Sequence, residues 1–147
     1  MSIILKTPES WYQSCPVTLV QILTGWSFER CKKEILLHRK KKPRDNRGFR
    51  CKPEKIHYST EYAYIDEIQA ILKSIGYDTK FVYPKSHMYN YDFYQKHRSG
   101  TYVVNSTDHC YILHEGKTYD NGQWDFGKYA TYYRHRYDAV VSYAKIS

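Results

Sequence analysis

No part of this 147-residue chain approaches the ~20 consecutive apolar residues needed to cross a bilayer, so no membrane-spanning helix is expected. The opening residues, Met1-Ser2-Ile3-Ile4-Leu5-Lys6, have neither a basic leader nor a long apolar stretch, which argues against a signal peptide. Cysteine is sparse and badly spaced for ligation. Cys15, Cys31, Cys51 and Cys110 contain no C-x-x-C pair, which disfavours both a disulfide framework and a structural zinc site and leaves four thiols. A mixed site around Cys110 and His114 lacks a second half, so neither metal nor cofactor is expected. Internal repeats and low-complexity tracts are also missing, and the length suits one domain over residues 1–147, expected to be a monomer.

What the chain does have is aromatic residues, 17% of the total, a content that argues for a folded protein rather than a disordered one. Tyrosine dominates with 17 copies, and its ring can be buried while its hydroxyl stays at a polar edge. Charge is concentrated. Residues 39–55 hold Arg39, Lys40, Lys41, Lys42, Arg44, Arg47, Arg50, Lys52 and Lys55 against Asp45 and Glu54, so nearly all of the net +8 lies there. The stretch reads as a basic surface loop. It could serve solubility alone, or make a weak contact with nucleic acid or another acidic partner. No nucleic-acid-binding motif accompanies the charge, which favours the first reading.

Pro16 is suited to the first turn of a helix, where its missing N–H would have no partner, and Gly25 is a natural stop. A short apolar helix is therefore predicted over 16–24, with Cys15 as its N-cap. A second helix should start near Ser27 and run into the basic stretch. Ile65, Ile68, Ile71, Leu72 and Ile75 fall at helical spacing before Gly76. Alternation over 77–83 predicts a short strand ended by Pro84, and a partial helix is expected around 91–96. The last third is β-rich: 100–105, 109–114, 117–121 and 139–144 read as strands, the middle two joined by a two-residue Glu115-Gly116 turn. Helices first and antiparallel strands second give an α+β fold with N-terminal helices on a C-terminal sheet.

The candidate chemistry lies in Cys15, His109 and Asp120. A cysteine at a helix start meets the helix dipole and unpaired N–H groups, which favour the thiolate and can receive an oxyanion. Such a thiol needs a base and a group to orient that base. The Glu115-Gly116 turn pairs Tyr111 with Asp120 and places His109, Tyr111 and Asp120 on one face of the hairpin, with Cys110, Ile112 and His114 on the other. A one-residue slip would separate His109 from Asp120. Singly, each residue has a structural explanation; together they have the parts and order of a Cys-His-Asp site.

The segments Ser14-Cys15-Pro16-Val17-Thr18, then 68–76, then Gly100-Thr101-Tyr102-Val103-Val104 through His109 to Gly116-Lys117-Thr118-Tyr119-Asp120 resemble small tailed-phage proteins predicted to be papain-like cysteine peptidases. The resemblance covers about three quarters of the chain, in order. It implies a papain-like cysteine protease fold, with Cys15 as nucleophile, His109 as base and Asp120 as orienter. The expected activity is that of a thiol hydrolase or acyl transferase on an amide bond of a protein or peptide, acting in the host cytoplasm. Where papain-like enzymes carry an oxyanion-hole glutamine, six residues before the cysteine, this chain has Glu9. Gln13, Ser10 or Trp11 would have to supply that donor. The departure also suits an inactive papain-like fold that binds a host protein.

Overall fold

The computed structural model describes residues 4–6, 15–41, 65–107, 109–120 and 137–146. The first helix, α1 (Cys15–Thr24), is buried on all sides, including its polar Thr18 and Gln21. Cys15 is its first residue rather than a cap preceding it. Gly25, at φ 77°, ends the helix with its N–H on the Gln21 carbonyl at 2.8 Å, a conformation glycine adopts at little cost. The next helix, α2 (Phe28–Lys41), is capped by Ser27, whose hydroxyl accepts from the Arg30 N–H at 3.1 Å.

Cys31, Ile35 and Arg39 form the buried stripe of α2. The helix thus extends into the segment expected to be a loop, and Arg39 is not part of a solvated basic surface. Its guanidinium makes two bonds, Nε to Glu67 Oε2 at 2.7 Å and Nη2 to Oε1 at 2.9 Å, with both side chains almost wholly buried. An Arg needs such a partner to be buried at all. Any acidic-partner contact through 39–55 therefore lacks Arg39; residues 42–55 lie outside the described residues.

Glu67 belongs to α3 (Ile65–Ser74), which packs Ile68, Ile71 and Leu72 against α1 and ends with Gly76 at φ 106°. The expected strand over 77–83 does not form. Val82 alone makes an isolated bridge to Tyr143. Nearby polar groups are taken by other partners: the Phe81 N–H donates to Gln69 Oε1 at 3.0 Å, and the Thr79 hydroxyl to the Lys145 carbonyl at 2.8 Å. α4 (Asn90–Lys96) follows.

Four strands follow among the described residues: β1 (Thr101–Ser106), β2 (Cys110–His114), β3 (Lys117–Tyr119) and β4 (Val140–Lys145). They form one antiparallel sheet in the order β3-β2-β1-β4. Strand alternation separates two cores. Val103, Cys110, Ile112 and Ala144 pack with α1, α2 and α3; Tyr102, Val104, Tyr111, Leu113 and Val140 pack with Phe93 of α4. The architecture is α+β, with three of the described helices on one face of the sheet and one on the other. No helix among the described residues is long and apolar enough to cross a membrane.

Candidate active site

The β2–β3 hairpin builds the site. His114 pairs with Lys117, Leu113 with Thr118 and Ile112 with Tyr119, the register expected from a Glu115-Gly116 turn. Glu115 at φ 49° and Gly116 at φ 78° both occupy the left-handed region, as a type I′ turn requires. Continuing the register past Tyr119 sets Asp120 opposite Tyr111.

His109 stands one residue before β2. Its backbone is fixed by Ser106, whose N–H and hydroxyl both donate to the His109 carbonyl at 2.8 Å. The His109 ring reaches across the hairpin, and Nε2 meets Asp120 Oδ2 at 2.8 Å, with side-chain exposures of only 8% and 2%. An ionised carboxylate only accepts, so with Asp120 ionised Nε2 is the donor. Proton exchange with a thiol then falls to Nδ1, on the other side of the ring. Carboxylate and imidazole are thus a pair in which one group fixes both ring orientation and tautomer.

Tyr111 lies beside this pair and is held by Asn90, and sequence reasoning gave neither a role. Tyr111 is fully buried, and its hydroxyl donates to Asn90 Oδ1 at 2.9 Å. Its ring is nearly parallel to that of His109, with centroids 6.2 Å apart. Burial, and secondarily the charge of Asp120, pushes the Tyr111 phenol far above its ordinary value, so it stays neutral. Strand alternation was enough to place Tyr111 beside Asp120. Nothing in the sequence announces its partner Asn90, which comes from a different element.

α1 begins at Cys15 and packs on β2 through Cys110 and Ile112, the face opposite the one that carries Tyr111, beside which the His109 ring lies. The Cys15 side chain and residues 9–13, with Glu9, Ser10, Trp11 and Gln13, lie outside the described residues. Cys31 and Cys110 are thiols buried in the helix-side core. His114 lies at the far end of β2, its Nδ1 2.6 Å from the Thr101 hydroxyl. Among the described residues no cluster of His, Cys, Asp and Glu could hold a metal ion. No protein-family model, curated protein or solved structure matches this chain.

Proposed function

We propose that this chain is a papain-like thiol hydrolase or acyl transferase acting on an amide bond, with Cys15 as nucleophile, His109 as base and Asp120 as orienter. The observation that carries the reading is the buried 2.8 Å pairing of His109 Nε2 with Asp120. A helix that starts at a cysteine supports it, because the helix dipole and the first N–H groups favour a thiolate there. In the reaction, His109 Nδ1 takes the Cys15 proton while sulfur bonds to the amide carbon and the carbonyl electron pair moves to oxygen. The first N–H groups of α1 are suited to receive that oxyanion. Collapse of the intermediate breaks the C–N bond, and the departing amine takes the proton from His109. Water or a second amine then attacks the thioester, giving hydrolysis or acyl transfer. The phage resemblance makes a host protein or peptide in the host cytoplasm the proposed substrate.

Labelling with iodoacetamide tests the reading, since the buried Cys31 and Cys110 are shielded from reagent and a Cys51→Ser background removes the remaining thiol. Cys15 should alkylate well below pH 8.5, the ordinary thiol range, and His109→Ala should slow labelling at neutral pH at least about tenfold. A Cys15 that labels with an ordinary thiol profile, unchanged by His109→Ala, would end the proposal. Glu9 favours a second reading, an inactive fold that binds a host protein. That reading predicts normal labelling without amide cleavage, and some cleavage regained in Glu9→Gln.

A further inference from the structure

Aromatic rings are presented at the end of the sheet that holds His109. Tyr137 is 68% exposed and Tyr89 40%. Their ring centroids lie 6.0 Å apart, edge to face, and the His87 ring meets Tyr89 edge-on at 4.6 Å. These exposed rings sit on a fixed backbone. The Tyr89 N–H donates to the Asp92 carboxylate at 3.0 Å, and Tyr89 bridges to Ala139. On either side, the Val140 N–H bonds the Met88 carbonyl at 2.8 Å and the Asn90 N–H bonds the Asp138 carbonyl at 2.9 Å. The segments that carry the two tyrosines are therefore tied to each other. Half-exposed rings add less to folding than buried ones. Held on a rigid backbone, they lose little freedom when they bind something.

Two hydrogen-bonded routes tie the backbone that carries the patch to the candidate site. The Ala139 carbonyl accepts from the Thr107 N–H at 2.9 Å and the Thr107 hydroxyl at 3.2 Å, and Thr107 belongs to the turn that carries His109. Asn90, next to Tyr89, accepts from Tyr111, whose ring lies beside that of His109.

We infer that Tyr89, Tyr137 and His87 form a subsite for an apolar or aromatic side chain of a peptide lying across the His109–Asp120 pair. The inference rests on the amide-hydrolase reading and names its substrate class. Tyrosine faces pack against apolar side chains, while phenol and imidazole groups at the rim bond to the extended backbone of a peptide.

A peptide array probed with the Cys15→Ala chain reads binding without turnover. The parent should prefer Phe, Tyr, Leu or Pro over Gly or Asp at one peptide position by about tenfold. Adding Tyr89→Ala and Tyr137→Ala should abolish that preference while leaving the thermal midpoint in place. An identical preference in both proteins, no peptide binding by the parent, or a preference for oligothymidine that disappears with the two tyrosines would overturn the subsite. Amide cleavage by the chain with Cys15 intact is scored separately. Thiol-dependent cleavage with KM unmoved by the two tyrosine substitutions rejects the subsite alone. Position-specific binding that needs the tyrosines, with no cleavage of any bound peptide, supports the subsite and rejects the hydrolase.

Discussion

His109 meets Asp120 because two residues at the hairpin tip set the register of everything that follows. Gly116 adopts φ 78°, and a Cβ there would stand 3.3 Å from the Arg98 carbonyl oxygen. Gly116→Ala should therefore destabilise the chain by about 1–2 kcal/mol, read as a lower urea midpoint. A variant as stable as the parent would show that the turn does not constrain the hairpin. This part of the site was legible in the sequence, because a Glu-Gly pair between alternating strands specifies both a turn and a register. The Asn90–Tyr111 bond was not, since it joins residues 21 positions apart on different elements. Side-chain pairing at that range follows from tertiary packing, which local patterns do not encode.

At the scale of elements, Pro16 and Gly25 marked the ends of α1, helical spacing before Gly76 marked α3, and the partial helix expected around 91–96 forms as α4. Strand alternation failed on residues 77–83, because it describes side chains, whereas a strand also needs a partner for its backbone. The charge of Arg39 was misread for a related reason. A run of basic residues looks solvated until a carboxylate from another helix appears, and Glu67 supplies it across the α2–α3 contact. Removing only one partner leaves the other charge buried. Glu67→Leu or Arg39→Met alone should cost about 3–5 kcal/mol. The two substitutions combined should restore most of that loss, since apolar replacement of a buried pair is often near neutral. Chemical denaturation of both single variants and the double variant closes the cycle, and strictly additive losses would mean that the two side chains do not depend on each other.

For the whole molecule, a core that includes a fully buried tyrosine has a consequence in alkali. Below about pH 10, the ordinary value for tyrosine, Tyr111 is neutral in the folded and unfolded chain alike, and its contribution to stability is complete. Above it, the unfolded chain releases the phenol proton while burial and the Asp120 charge make the folded chain keep it. The unfolded state then binds fewer protons, so stability falls as pH rises, by up to about 1.4 kcal/mol per pH unit for one such phenol. Burial shifts Tyr119 in the same direction. Lysines titrate over a similar range, so the informative quantity is a difference between proteins. Tyr111→Phe should start less stable, because Asn90 loses a buried donor, yet lose stability less steeply between pH 10 and pH 11. Urea midpoints measured from pH 8 to pH 11 test this. Equal slopes in the two proteins would show that Tyr111 does not hold its proton in the folded state.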